Sequence, residues 1–240
     1  MDRPLSRFLN RLLLRSALSQ EAQNSLLALD PPRTEKKARW DLVRSGQITS
    51  FACLVASGTI GRSEQFSDGS RRTAALYIEG DMCDLHSVAV PVARWNITAL
   101  TDCAIYEVPH TDLRRLHDQY PDLAMAFWRD TVVDASILAK WVTVLSGLST
   151  KSRVAHILCE YGTRAQAAGL EKEGASFPLT QSQLAELAGT TPVHISRTLK
   201  ALADAGAIGI SRGCSRILDF EKLCRIGEFD PTYLMLGPPA

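Results

Sequence analysis

The chain has 240 residues, 45% of them hydrophobic, with 27 basic and 26 acidic side chains for a net charge of +1. That length supports one or two packed cores, and the balanced charge excludes a polybasic chain while still allowing a nucleic-acid binder whose positive charge lies on one face. Six cysteines without a C-x-x-C pair exclude a disulfide scaffold and a structural zinc site. No apolar run reaches the roughly 18–20 residues of a membrane span, so a cytoplasmic protein with no membrane partner is expected.

At the N-terminus Arg3, Arg7, Arg11 and Arg15 recur every fourth residue, and Leu5, Phe8, Leu9, Leu12 and Leu13 fill another face. An Arg-rich amphipathic start is also the composition of a mitochondrial transit peptide; a surface helix packed on the body is the reading adopted. Ser19 offers an N-cap to a second helix near 20–29, which Pro31 and Pro32 stop. From 33 to about 107, short apolar runs alternate with turn residues, as at 51–56, 73–78, 96–100 and 104–108. The turn at 67–70 between two such runs is a hairpin signal, and the spacing predicts an all-β roll or barrel.

Pro109 ends the β texture, a short helix follows at 111–117, and 121–148 reads as one long helix. Phe127, Leu138, Trp141, Leu145 and Leu148 fall on alternating steps of three and four and form the expected seam between two copies. The simpler alternative is a long core helix of a monomer. Asp134 interrupts the apolar pattern. The expected division is 1–32 N-terminal helices, 33–120 β-roll, 121–148 dimerisation helix, 149–223 DNA-binding domain and 224–240 tail.

The strongest signal is LTQSQLAELAGTTPVHISRTLKALA, at 179–203. Thr180 with Gln183 makes a capping box. Gly189 permits a tight turn, and Thr191-Pro192 restarts a helix as N-cap and N1. This is a helix-turn-helix with its second helix at 192–203. Thr191, Pro192, Val193, His194, Ser196, Arg197 and Lys200 occupy the exposed side, with Arg197 matched to a guanine edge. Thr180, Gln181 and Ser182, at the N-terminus of the first helix, suit a phosphate. Two strands around a Gly-Cys turn follow as a wing, with Arg212 and Arg216 near the DNA backbone.

This order of parts resembles the Crp/Fnr family of bacterial transcription regulators from about Leu26 to Leu223, most specifically in GDMCDLHS at 80–87, SRVAHILCE at 152–160 and the helix-turn-helix. The resemblance implies an α+β fold: a cyclic-nucleotide-binding-like antiparallel β-roll, a long dimerisation helix and a C-terminal winged helix-turn-helix. It also implies a homodimer on palindromic double-stranded DNA, with RNA polymerase as a further partner. Ser196 and Arg197 fall on family positions used for DNA contact. Val193 stands where the family usually has a glutamate, so the usual half-sites are not expected.

By the same resemblance, the Gly-Glu that holds ribose in cyclic-nucleotide-binding members falls on Asp84 and Leu85, and the Arg-Ser that holds phosphate on Ala93 and Arg94. Asp84, His86 and Arg94 are therefore the candidate effector residues, and no cyclic AMP binding is expected. No cofactor is expected either; the alternative is haem on His86, with Asp84 where a haem-sensing relative has cysteine. Cys214, between Arg212 and Arg216, is the candidate redox residue. Cys53, Cys103 and Cys159 read as packing residues. A metal-dependent β-barrel enzyme is the rival reading, but it needs about three converging His or carboxylate ligands, and the chain has no His-x-His. A third reading, a signalling adaptor whose helix pair binds protein alone, is separable by salt-dependent DNA binding.

Overall fold

The computed structural model describes residues 5–170, 176–211 and 214–237, without the side chains of Ser211 and Cys214. It divides into two compact units. One comprises Met1–Glu64, Ala75–Ala135 and Met235–Ala240, the other Gln65–Ala74 and Ser136–Leu234.

The first unit opens with α1 (Ser6–Leu13) and α2 (Gln20–Leu27), the latter capped by the Ser19 side chain, which accepts from the Ala22 amide. Phe8, Leu9 and Leu12 of α1 are buried in a cluster with Leu26, Leu54, Leu113, Leu116 and Leu123. The arginine face of α1 has a local purpose: Arg7 pairs with Glu79 at 3.2 Å, Arg11 with Asp81, and Arg15 with Asp130 at 3.4 Å.

The strands are β1 (Arg33–Lys36), β2 (Asp41–Val43), β3 (Phe51–Ser57), β4 (Ile60–Gln65), β5 (Arg71–Tyr77), β6 (Asn96–Ala99) and β7 (Cys103–Pro109). They form two sheets, in the orders β1-β7-β3 and β2-β6-β4-β5. Strand alternation explains the fully buried run in β3. Ala52 and Leu54 join the helical cluster, so Cys53 and Val55 point to the opposite face, into the roll. A 3-10 helix at Leu85–Val88 bridges β5 to β6, then α3 (His110–Gln119) and α4 (Pro121–Gly147) follow.

In the second unit, the last turns of α4 lead to Ser149, which caps α5 (Thr150–Ala167) by accepting from the Ser152 amide. Then come β8 (Ser176–Phe177), α6 (Gln181–Ala188), α7 (Pro192–Asp204), β9 (Ile208–Ser211), β10 (Cys214–Ile217) and α8 (Phe220–Gly227). The small sheet runs β8-β10-β9. Residues expected as a tail are folded: Cys224 lies within α8, and Pro231–Leu234 is a 3-10 helix.

The expected seam on α4 is corrected by burial. Phe127 lies in the core, its ring 6.1 Å from Phe8. Trp141 is 4% exposed and donates its indole N–H to Glu160 at 2.8 Å. Neither faces outward. Leu138, Leu145 and Leu148 are half-buried. The apolar residues left outside are Met125, Trp128, Val132 and Val142, at 45–67% exposure, with Ala135, Ala139 and Ser146 between and beyond them.

Candidate DNA-binding surface and effector domain

The helix pair is built by local chemistry. Thr180 Oγ1 accepts from the Gln183 amide at 3.3 Å, and Gln183 Oε1 accepts from the Thr180 amide at 2.9 Å, which starts α6. Gly189 ends it at φ +61°, a left-handed conformation that a side chain would strain. Thr191 then caps α7, accepting from the His194 amide at 3.3 Å, with Pro192 at the first helical position.

Ile195, Thr198, Leu199 and Leu202 bury one face of α7. Pro192, Val193, His194, Ser196, Arg197 and Lys200 are all exposed on the other, as are Thr180, Ser182 and the cap Thr191, while Gln181 is half-buried. The helix thus presents donors near its N-terminal end, where a recognition helix meets base edges. Behind it β9 and β10 pair antiparallel, with Arg216 opposite Gly209 and exposed at the wing's stem. Arg212 lies outside the described residues, as does the side chain of Cys214.

The roll does not assemble Asp84, His86 and Arg94 into one pocket. Asp84 is 4% exposed, and its carboxylate accepts from the Cys53 amide at 2.7 Å. Burial pushes its pKa up to about 6, against that hydrogen bond and the nearby Arg62 charge. Asp81 is used the same way, accepting from the Ile78 amide at 2.8 Å. The acids of the GDMCD stretch therefore fix its turns. Arg94 is exposed. His86 packs 5.4 Å from the Trp95 ring, and burial, then the Arg62 charge, pushes its pKa down, so it is neutral. It also lines a cleft of about 870 Å³ between the Leu85–Val88 helix, α3 and α4, whose walls include Leu113, Phe127 and Trp128.

The polar centre of the roll is a residue that sequence reasoning passed over. Arg62 of β4 is 5% exposed. Its Nη2 donates to Asp134 of α4 at 2.8 Å and to the Cys83 carbonyl at 3.2 Å. Its guanidinium stands 4.5 Å from the Trp95 ring and 5.6 Å from that of Tyr77. The Tyr77 hydroxyl donates to the other Asp134 oxygen at 3.0 Å; burial, then the Asp134 charge, raises its pKa, so the proton stays on. The one signal in the sequence was a charged residue inside a buried strand run, opposite the acid that breaks the apolar pattern of α4. Among the described residues no group of three His, Cys, Asp or Glu stands ready to hold a metal, and no helix is long and apolar enough to cross a membrane.

Fold and surface together define a DNA-binding transcription regulator with a nucleotide-binding-like roll. Residues 37–120 match the cyclic nucleotide-binding domain and residues 152–226 the Crp-like helix-turn-helix domain. The chain belongs to the Crp/Fnr family of transcription regulators. It is 28% identical over 210 residues, 86% of this chain and 91% of the other, to the probable transcriptional regulator flp of Lacticaseibacillus casei. Its fold is similar to that of FixK2 from Bradyrhizobium japonicum, with a TM-score of 0.75 at 19% identity over 82% of this chain and 98% of that one. It is also similar to the c-di-GMP responsive global regulator CLP of Xanthomonas campestris, with a TM-score of 0.64 at 16% identity, over 83% and 99% of the chains.

Proposed function

We propose that this regulator binds two-fold-symmetric DNA as a homodimer, one α7 per half-site, in the cytoplasm, and that it acts on RNA polymerase without a cofactor and without cyclic AMP. The observation that carries the dimer is the outer stripe of α4. Met125, Trp128, Val132, Ala135, Ala139, Val142 and Ser146 alternate in steps of three and four, and every one is exposed. That is the a/d pattern of a paired coiled coil. Small residues at 135 and 139 allow close approach, and large ones at both ends supply contact area. Left in water, Trp128 at 67% exposure and Val142 at 67% are costly.

Independence from cyclic AMP is supported by the interior of the roll. Arg62, with its Asp134, Tyr77 and Trp95 partners, occupies it with side chains of the chain itself. Asp84 and Arg94 offer no paired ribose and phosphate grip, because one is spent on a backbone amide and the other is exposed. Calorimetry with cyclic AMP is expected to give no binding heat; micromolar affinity would refute this part.

The dimer is tested with Trp128→Glu and Val142→Glu, both on exposed positions that leave the fold intact. Sedimentation is expected to show a dimer for the wild type and monomers for both variants. Affinity for a symmetric two-half-site duplex, found by selection from random DNA, should fall at least about 100-fold. A wild type that sediments as a monomer, or variants that remain dimers, would refute the seam.

A further inference from the structure

Helix α8 packs closely on α5. Gly227 makes that possible, since a Cβ there would stand 2.7 Å from the His156 backbone nitrogen. His156 Nδ1 lies 3.1 Å from the Gly227 carbonyl. One turn along each helix the close packing brings two thiols together: Cys159 of α5 and Cys224 of α8 have their Sγ atoms 3.7 Å apart. Both are free thiols, Cys159 fully buried and Cys224 partly exposed. They are 65 positions apart in sequence, and the segment between them contains α6, α7 and both wing strands.

We propose that Cys159 and Cys224 are a disulfide-forming pair, oxidised by hydroperoxides and reset by small thiols. Cys224 is the entry point because it is the one solvent reaches. Burial pushes both thiols up, while the Cys159 contact works the other way on Cys224 alone, so Cys224 ionises first. Its thiolate attacks one peroxide oxygen, the O–O bond breaks, and the leaving alkoxide or hydroxide takes a proton from water. The product is a sulfenic acid on Cys224. Cys159 then attacks that sulfur, the S–O bond breaks, and hydroxide departs with the Cys159 proton as water. Two thiols and one hydroperoxide give one disulfide, one alcohol or water, and one further water. Two equivalents of a monothiol reverse it by exchange through a mixed disulfide.

A sulfur separation of 3.7 Å must close to about 2.05 Å, a shift that χ1 rotation and a small helix slide supply. The staple would close a loop around the DNA-contacting elements and remove entropy from the unfolded chain. It lies on the α5–α8 contact, away from the exposed residues of α7, so the oxidised protein keeps its DNA surface.

The test treats the reduced, folded protein with hydrogen peroxide, blocks free thiols in denaturant, and maps peptides without reduction. The expected result is a linked pair holding Cys159 and Cys224, absent from Cys224→Ser and from Cys159→Ala, and present in Cys214→Ser. The melting temperature of the oxidised protein should rise by at least about 5 °C and return with dithiothreitol, while DNA affinity changes less than about twofold. Alkylation of both cysteines after peroxide, or pairing of Cys224 with another molecule, overturns the proposal. So does a linked pair with no rise in melting temperature.

Discussion

Arg197 and Lys200 sit one turn apart on the exposed face of α7, yet their chemistries differ. A guanidinium is a planar fork that matches the two acceptors of a guanine edge, while an ammonium is a point charge for phosphate. Arg197→Ala should cost about 1–3 kcal/mol on the preferred site and relax selection at one base pair per half-site. Lys200→Ala should weaken all sequences alike. Competition between preferred and scrambled duplexes separates the two, and equal loss of selectivity in both variants would contradict the assignment. Asp84 makes a different residue-scale claim. Its folded pKa of about 6 is raised above the unfolded value near 3.9. The protonated form is therefore the one the fold favours, and its stabilisation is full below pH 3.9 and lost as pH rises through 6. Asp84→Asn keeps an oxygen for the Cys53 amide and removes the titration. Urea unfolding should find the variant more stable than wild type by about 2–3 kcal/mol at pH 7, and no more stable at pH 3.5. An unchanged pH profile would reject the claim.

Helix α4 shows why some elements are easier to read in sequence than others. It carries two apolar stripes one residue apart, Phe127 with Trp141 and Trp128 with Val142, and each has the spacing of a seam. Spacing alone does not choose between them. The choice is made by distant partners: Phe8 receives Phe127, and Glu160 receives the Trp141 indole. Arg62 was hidden for a related reason, because strand alternation reads a charge as solvent-facing, and its acid lies 72 positions away. The α6–α7 pair was legible because its signals are local: a cap with its reciprocal glutamine, a turn glycine, and a cap followed by proline. The two stripes predict opposite behaviour. Trp141→Phe leaves buried Glu160 one donor short, with Tyr233 and Arg164 remaining, and should lower unfolding free energy by about 1–2 kcal/mol. Trp128→Ala should leave unfolding of the monomer within about 0.5 kcal/mol of wild type and act on dimer dissociation instead. Denaturant midpoints measured across protein concentration tell the two apart, because only a change in the dimer depends on concentration.

For the whole molecule the governing number is the net charge of +1. A nearly neutral chain has little general attraction to DNA, so the proposed phosphate contacts are those of α7, the start of α6 and the wing. The proposed pairing would double that set. The slope of log affinity against log salt should therefore be about twice as steep for wild type on a full site as for Val142→Glu on a half-site. Equal slopes would mean that only one copy touches DNA.

The Arg62–Asp134 pair also sets the terms on which any diffusible effector enters the roll. An anion arriving from solution must displace a carboxylate that the chain itself delivers, held at a local concentration above the roughly mM level of even a flexible tether. It must also part the half-buried Asp134 from the Arg62 and Tyr77 hydrogen bonds that hold it. Under the proposed function, a dilute anion is expected to compete poorly for Arg62. On that proposal the roll is a receptor occupied by its own tethered ligand, and a variant without Asp134 is expected to open Arg62 to added carboxylates.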